Sequence, residues 1–456
     1  MFHRLAPFVV AFAVVASCTE GDAPGSEPTT AATEAPTTEA PTSGTDAPAG
    51  TDTTVAASDG SIVSEFAGEE WFAGTLPSAG TAADESLEPI VVGMINQENS
   101  PVGSFPEMRA AVQAAVGWIN AELGGVNGRP IELVPCITSF SVEQSQACAQ
   151  ELVQKGAVAV ISGIDITSNG SLPILEQNGI PFISALPTTL AELRNEKVVS
   201  FSGSITGAYV AFISHAAAQG ATKVAIAYGQ FESFEVPAKE YGAKVAEQLG
   251  LETTLIPFAL GTTDFLPVIQ AAIDSGAEAM IVAAADTACV PVITTAFDLG
   301  YTGQVYSVGA CAAREIVAEI PDEIQSQIIF NSEGPPTTDT VEGDLFLAAT
   351  ERYVDEPAGG SGTVSFRAMM NLWAALVAVD SAGSEITPGA ISEQFLSAVD
   401  APSFWGHPYT CDRRQVPGFP ALCSPQQTLF EVLDDVGGTS SIVDEWIDVP
   451  SYVADL

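Results

Sequence analysis

Three polar loops hold the side chains best suited to bind a small molecule. They occupy residues 97–105, 163–170 and 185–189, and they are rich in Ser, Thr, Asn and Gly but poor in ionisable groups. Hydroxyl and amide groups donate and accept hydrogen bonds, but they seldom perform acid–base or nucleophilic chemistry unless a nearby base activates them. The composition of these loops therefore favours recognition of a small molecule over chemistry performed on it.

Hydroxyl groups next to predicted helix starts are the first candidates for ligand contact. Thr167 and Ser168 precede a predicted helix over residues 172–177. Hydroxyls and free amides at a helix N-terminus suit a carboxylate or carbonyl oxygen, although either residue can instead be only an N-cap. Thr189 and Glu192 have the spacing of a capping box, so Thr189 is interpreted as a helix cap.

The elements that position these loops alternate between strand and helix. Apolar strands are predicted over residues 90–95, 131–134 and 157–161, and helices lie between them. The first helix has Ser104 and Glu107 in capping-box spacing at its start. Such alternation is typical of a parallel sheet with helices on its faces. The polar loops then lie at the carboxyl edge of the sheet, where open α/β sheets bind ligands.

Sequence blocks within these elements resemble a known family. They are G-x-x-N-x-E at residues 93–98, I-N-A-E-L-G-G-V-N-G-R-P-I-E-L at 119–133 and G-I-P-F-I-S at 179–184. The chain resembles the type I periplasmic binding proteins over residues 89 to 432, and most closely their branched-chain amino-acid (Leu/Ile/Val) binding branch in ABC transport systems. The resemblance implies an α/β fold of two Rossmann-like lobes, with parallel sheets and helices on both faces, joined by a three-stranded hinge.

The domain organisation combines this resemblance with the observed alternation. The strand–helix pattern restarts at residue 201, which indicates a second α/β lobe. In the family, the helices that follow the strands of the second lobe return to the first lobe, and the C-terminal tail crosses back to the second. The predicted segments are a signal peptide (1–17), an acidic tether rich in Thr, Pro and Ala (18–60), a lead-in (61–88), lobe 1 (89–200 plus 330–400) and lobe 2 (201–329 plus 401–456).

The N-terminus reads as an export signal. His3 and Arg4 precede an apolar run over residues 5–16 that is too short to span a bilayer, and we identify no other stretch suited to do so. The V-A-S-C sequence ending at Cys18 resembles a bacterial lipobox, in which that cysteine is lipidated; the alternative is ordinary cleavage near Ser17. The lead-in aromatics Phe66, Trp71 and Phe72 either dock on lobe 1 or remain disordered.

The cysteines indicate disulfides in an oxidising compartment. Without Cys18, six of the seven cysteines remain, which allow fifteen connectivities. We prefer the local pairing, because both members of each pair belong to the same or the adjacent supersecondary unit: Cys136 with Cys148, Cys289 with Cys311, and Cys411 with Cys423. There is no C-x-x-C motif and only two histidines follow the signal peptide, so no metal site is expected.

Charge and missing motifs exclude other function classes. The formal net charge of −43 excludes nucleic acid as a partner and suits a saline habitat, or is merely a solubility feature. The sequence has no G-x-S-x-G, H-E-x-x-H or Walker A motif. A secreted enzyme is therefore the weakest of the functions considered.

The resemblance also indicates ligand contacts. It places Thr167 and Ser168 where the family holds the ligand carboxylate and Thr188 on its second carboxylate-binding pair. The remaining candidates are Gln97, Glu98 and Phe105 of the first loop and Phe234 as an apolar lid in lobe 2, with helix packing as the alternative for Phe234.

One departure concerns the amine site. Amino-acid binders of this family carry an acid after the last strand of lobe 2, where this chain has Ala310. Glu98 or Asp286 could replace it as a partner for a ligand amine, or they are a solvated loop acid and a helix cap.

Together these observations predict a cofactor-free, monomeric solute-binding lipoprotein anchored to the outer face of a bacterial cell membrane. It would capture a small polar solute (an amino acid, an amide or an organic acid) and deliver it to an ABC permease. A ligand-sensing protein that signals to a receptor is the alternative with the same fold.

Overall fold

The computed structural model describes residues 60–456 except 101–102, 285, 336–339, 357 and 434–438. The predicted signal peptide, Cys18 and the tether up to residue 59 lie outside the described residues.

The lead-in is folded onto lobe 1, so docking was the correct alternative. It forms α1 (Ile62–Glu65), β1 (Glu70–Trp71) and β2 (Gly74–Thr75). The N–H of Val63 donates to the buried carboxylate of Glu122 at 2.9 Å. The ring of Trp71 lies 5.5 Å from that of Trp118, centroid to centroid. Burial of aromatic rings gives this short segment the stabilisation that its ordering entropy requires.

Lobe 1 is built on a parallel sheet, as predicted, and this sheet has five strands. Its strands are β3 (Ile90–Gln97), β4 (Ile131–Thr138), β5 (Ala159–Ser162), β6 (Phe182–Ser184) and β7 (Val198–Val199), in the order β4-β3-β5-β6-β7. Its helices are α2 (Pro106–Glu122), α3 (Val142–Gln154), α4 (Leu172–Gln177) and α5 (Leu190–Leu193). The predicted cap of α2 was wrong: Phe105 is the N-cap, and Ser104 Oγ instead accepts from the N–H of Asn99 at 3.1 Å.

Lobe 2 repeats this topology. Its first elements are α6 (Ser204–Ala218), β8 (Lys223–Gly229), α7 (Glu232–Pro237), α8 (Ala243–Gln248), β9 (Glu252–Phe258), α9 (Leu266–Ser275) and β10 (Ala279–Ala283). They are followed by α10 (Cys289–Asp298), β11 (Gln304–Ser307), α11 (Arg314–Val317), α12 (Asp322–Gln325) and β12 (Ile328–Ser332). The parallel strands lie in the order β9-β8-β10-β11-β12, which matches the order in lobe 1 when the strands of each lobe are counted from its first.

Three helices return to lobe 1: α13 (Val341–Tyr353), α14 (Gly362–Ser381) and α15 (Pro388–Leu396). By length and composition α14 could cross a membrane, contrary to the sequence analysis, which found no such stretch beyond the signal. Most of it is buried against the lobe 1 core, and it carries the buried Arg367, so it is a core helix of this lobe.

The C-terminal tail differs from the prediction in two respects. It forms β13 (Thr428–Val432), β14 (Thr439–Ser441) and α16 (Val449–Val453). The sheet of lobe 2 is mixed rather than parallel, because β13 returns from lobe 1 and pairs antiparallel with β12. Residues 401–456 do not belong wholly to lobe 2 either: Phe404, Trp405 and Tyr409 pack in the lobe 1 core, and Val416 is the first to join the core of lobe 2.

The structure contains the three predicted local disulfides. They are Cys136–Cys148, Cys289–Cys311 and Cys411–Cys423, with Cα atoms 5.5, 5.4 and 4.5 Å apart. The first bridge ties β4 to α3, and the third closes a loop of the tail.

Three segments connect the lobes: one after β7, one after β12 and one before β13. The guanidinium group of Arg367 bonds to all three. It donates to the carbonyl oxygens of Phe201 at 2.8 Å and Glu333 at 3.3 Å, and to Ser424 Oγ at 3.1 Å. The side chain of one lobe 1 residue thus forms hydrogen bonds with all three segments of the hinge.

Candidate functional site

A cleft of about 730 Å³ opens between the facing carboxyl edges of the two sheets. Its lobe 1 wall comes from the loops that follow β3, β4, β5 and β6, and its lobe 2 wall from those that follow β8, β9, β10, β11 and β12. In open α/β sheets these edges are where ligands bind. The duplicated strand order therefore brings two such edges to one site.

The wall of the cleft is mostly apolar. Phe105, Ile164 and Leu186 line it from lobe 1, and Phe231 and Phe234 from lobe 2. Large apolar side chains that remain exposed within the cleft are Phe140, Leu260 and Leu347, which are 41%, 46% and 43% exposed. An exposed apolar concavity with few polar groups is characteristic of a small-molecule site.

The hydroxyls of the second loop do not line this cleft. Thr167 Oγ1 donates to Asp165 Oδ1 at 2.7 Å, and Ser168 Oγ lies 2.8 Å from Thr189 Oγ1. Asp165 is fully buried and also accepts from Ser145 Oγ at 2.6 Å. A buried carboxylate requires such donors, which explains why these polar side chains turn inward while apolar neighbours face the cleft.

Thr188 does line the cleft, and its hydroxyl group is unpaired. Its Oγ1 is buried and has no hydrogen-bond partner among the residues that the structure describes. Its backbone N–H donates to Glu192 Oε2 at 2.7 Å, and Glu192 closes the predicted capping box with Thr189. Complete burial is the main cause that raises the pKa of Glu192, to about 8.

Of the first-loop candidates, only Phe105 reaches the cleft. Gln97 Nε2 donates to the carbonyl oxygen of Gly103 at 3.0 Å. Glu98 pairs with Arg109 at 2.8 Å and accepts from Asn96 Nδ2 at 3.1 Å. Glu98 does not line the cleft, and its charge is already matched by the guanidinium of Arg109. The structure therefore does not support Glu98 as the partner of a ligand amine.

In lobe 2, Phe234 and Ala310 line the cleft. The side chain of Asp286, the second candidate amine partner, lies outside the described residues. No cluster of three or more metal-ligating side chains occurs in the part of the chain that the structure describes.

A buried acid that the sequence analysis missed also lines the cleft. Glu333 follows β12 directly and is 7% exposed. The first part of the predicted lobe 2 ends at residue 329, and no strand is predicted over the residues of β12. Recognition of that strand would have placed Glu333 at the carboxyl edge with the other candidates.

Glu333 lies between the cleft and the hinge. Its Oε1 accepts from the N–H of Gly203 at 3.0 Å and from Ser202 Oγ. Burial raises the pKa of Glu333 to about 7, against the lowering effects of Ser202, Arg367 and Gln427. Burial likewise lowers the pKa of Arg367, to about 10.

Comparison with known proteins places these features in a wider context. A family model described as periplasmic binding protein matches residues 89–416. A search of curated protein sequences found no significant match.

Solved structures with a similar fold include three solute-binding proteins. A leucine-binding protein from Thermotoga maritima shares 17% identity at a TM-score of 0.64, with 78% of this chain and 99% of that one covered. An ABC transporter solute-binding protein from R. palustris in complex with 4-hydroxybenzoate shares 20% at 0.66, with coverage of 79% and 97%. A fatty acid ABC transporter substrate-binding protein from Thermomonospora curvata shares 15% at 0.68, with coverage of 82% and 96%. At these identities the likeness shows the two-lobed fold.

Proposed function

Because the chain belongs to the type I periplasmic binding protein family, we propose that it captures a small organic acid with an apolar body for an ABC importer. Proteins of this family bind small-molecule solutes outside the cytoplasm and work with ABC permeases, and they generally do not act as enzymes. The chain is a solute-binding protein of this type.

The apolar wall of the cleft carries the proposal. Phe105, Phe231 and Phe234 offer surface for an aromatic or aliphatic body. Thr188 offers an unpaired hydroxyl for an oxygen-bearing end such as a carboxylate. An α-amino acid has less support, since Ala310 replaces the acid that would bind its amine, Glu98 is paired with Arg109, and the side chain of Asp286 lies outside the described residues. The 4-hydroxybenzoate and fatty-acid binding of two similar structures supports the same ligand class.

We further propose that Cys18 carries a lipid that anchors the protein to the outer face of the cell membrane. The support is the lipobox-like V-A-S-C sequence and the low-complexity tether that follows it.

A ligand panel tests the proposed class. Benzoate, 4-hydroxybenzoate, octanoate, 4-methylpentanoate and leucine are compared by thermal shift and calorimetry, because binding to the folded state raises the melting temperature. We expect at least one of the acids without an amine to bind more tightly than leucine. Binding of leucine alone would contradict the proposed class, and binding of none would contradict solute capture of this kind.

Thr188→Val supplies the matched variant. It removes the unpaired hydroxyl and keeps the shape, so we expect about tenfold weaker carboxylate binding, the scale of one hydrogen bond to a charged group. Thr167→Val is the control, because that hydroxyl bonds to Asp165 and does not line the cleft. Equal affinity in both variants would show that Thr188 does not contact the ligand.

A further inference from the structure

Two buried polar atoms on the hinge side of the cleft have no partner. They are Glu333 Oε2 and Trp405 Nε1, neither of which has a hydrogen-bond partner within the described part of the chain. Glu333 is 7% exposed and Trp405 is 6% exposed, and both residues line the cleft. Buried polar atoms without partners are few in native proteins and destabilise the fold, so each one calls for an explanation.

The two residues are neighbours in the fold. Gly334 follows Glu333 and lies against the indole ring, so closely that a Cβ at Gly334 would come within 2.5 Å of the Cε2 atom of Trp405. The residue with the unpaired acceptor and the residue with the unpaired donor are therefore neighbours on the same side of the cleft.

The surrounding contacts hold both groups in place. Ser202 and Gly203 occupy Glu333 Oε1, so Oε2 is the unpaired oxygen of a residue that lines the cleft. Trp405 adopts a φ of 47°, a left-handed conformation that is unfavourable for a non-glycine residue. Residues kept in such conformations cluster at ligand sites, since the surrounding structure must enforce them.

We propose that Glu333 and Trp405 form a second polar subsite that binds one ligand group able both to donate and to accept a hydrogen bond. A hydroxyl or a carboxamide meets this requirement: it donates to Glu333 Oε2 and accepts from the indole N–H. An ammonium group can only donate, so it leaves Trp405 unpaired. Arg367 lowers the pKa of Glu333 whereas burial raises it to about 7, so the affinities are measured at pH 8, where the ionised carboxylate is the acceptor.

The subsite narrows the ligand class of the proposed function, on which it rests. With Thr188 on the lobe 1 wall and this pair on the hinge side, the ligand is an apolar molecule with a carboxylate at one end. The same molecule carries a hydroxyl or amide group at a second position, where it reaches Glu333 and Trp405. Ordered water is the competing occupant, because a water molecule also donates and accepts.

Matched ligands separate these possibilities. One set is 4-methylpentanoate with its 2-hydroxy and 2-amino derivatives, and another is benzoate with 4-hydroxybenzoate and 4-carbamoylbenzoate. Calorimetry on the full-length protein gives the affinity of each. In at least one set we expect the hydroxyl or amide derivative to bind at least tenfold more tightly than its parent acid, and more tightly than the ammonium derivative where the set has one.

Two variants test the assignment to these residues. In Glu333→Gln, Ser202 and Gly203 hold the amide oxygen, so the NH₂ group turns to the cleft and an acceptor becomes a donor. Trp405→Phe removes the indole N–H and keeps an aromatic ring. We expect each variant to lose most of the preference for the hydroxyl or amide derivative, measured as the ratio of the affinities of derivative and parent acid for the same variant. If Glu333→Gln fails to fold by circular dichroism, Trp405→Phe decides the assignment.

Four outcomes would overturn the subsite. A wild-type protein that binds parent and derivative equally points to water as the occupant, and leaves the proposed function intact. A preference that survives in a folded variant places the recognition elsewhere. Tighter binding of the ammonium derivative contradicts the paired donor and acceptor. Absence of binding by every probe contradicts the proposed function, and the subsite with it.

Discussion

Glu192 is a single residue on which the lobe 1 side of the cleft depends. Its Oε2 accepts from the backbone N–H of Thr188 at 2.7 Å and of Thr189 at 3.3 Å. The carboxyl group is completely buried near Asp165, and burial is the main cause that raises its pKa to about 8. The loop that presents the Thr188 hydroxyl is therefore held by a group that is protonated in the folded state at neutral pH.

Glu192→Gln should make stability less dependent on pH. Between the ordinary pKa of about 4.5 and about 8, the folded state keeps the proton that the unfolded state releases, so the contribution of Glu192 is lost as pH rises. Gln cannot ionise and keeps an acceptor for both N–H groups. We compare the free energy of unfolding of the variant with that of wild type. We expect the difference, variant minus wild type, to increase by about 1.4 kcal/mol per pH unit from about pH 5 to about 8.

Urea unfolding at several pH values measures this difference. Glu143→Gln is the control, because Glu143 is fully exposed and its pKa is lowered rather than raised, chiefly by a backbone hydrogen bond. If the free energies of unfolding of wild type and Glu192→Gln change in parallel with pH, the pKa of Glu192 is not raised by folding.

At the scale of elements, α14 stabilises the hinge as well as the core of lobe 1. Arg367 lies near its N-terminal end and is 1% exposed. Its guanidinium donates to Ser403 Oγ at 2.9 Å and to the carbonyl oxygen of His407 at 3.0 Å, both in the connection before β13. These bonds add to those with the connections after β7 and after β12. A planar guanidinium with five donors can serve several carbonyl groups at once, which a lysine ammonium cannot do in the same geometry.

Arg367→Met should therefore destabilise the protein strongly. The apolar stem is retained, but the buried carbonyl oxygens of Phe201 and Glu333 lose a hydrogen-bond donor, and the buried carboxyl group of Glu333 loses a nearby positive charge, which typically costs about 3–5 kcal/mol. Lys244→Met, at an exposed ion pair with Glu240, should have little effect. Urea denaturation gives both values, and comparable effects in the two variants would contradict the role assigned to Arg367.

At the scale of the whole molecule, two lobes of the same strand order are joined by three connections. Opening and closing about such connections is the usual motion of two-lobed binding proteins. The exposed apolar side chains of Phe140, Leu260 and Leu347 are the surface that a ligand or closure would cover. The proposed anchor would keep this receptor at the membrane that holds its permease.

The anchor is tested with Cys18→Ser in the natural host or a related bacterium. Without the thiol that accepts the lipid, we expect the protein either in the medium or as an uncleaved precursor. Immunoblots of medium and membrane fractions give the distribution, and Cys136→Ser is the control because that cysteine forms an internal disulfide. Unchanged membrane retention of a cleaved Cys18→Ser protein would refute lipidation.

Sequence patterns predicted most elements of lobe 1 and the α/β class of the fold. The helix Leu172–Gln177 has its predicted bounds, and the strands predicted over residues 90–95 and 131–134 lie within Ile90–Gln97 and Ile131–Thr138. The local disulfides followed from the same elements. Such patterns succeed because apolar spacing and caps depend on residues only a few positions apart.

The tertiary structure decided which side chains are free to meet a ligand. Thr167, Ser168 and Glu98 carry suitable groups, but Asp165, Thr189 and Arg109 occupy them. Glu333 was missed, and its partner Ser202 lies 131 positions away in sequence. Whether a polar group is satisfied depends on partners that only the packed fold brings together, so its availability cannot be deduced from local spacing.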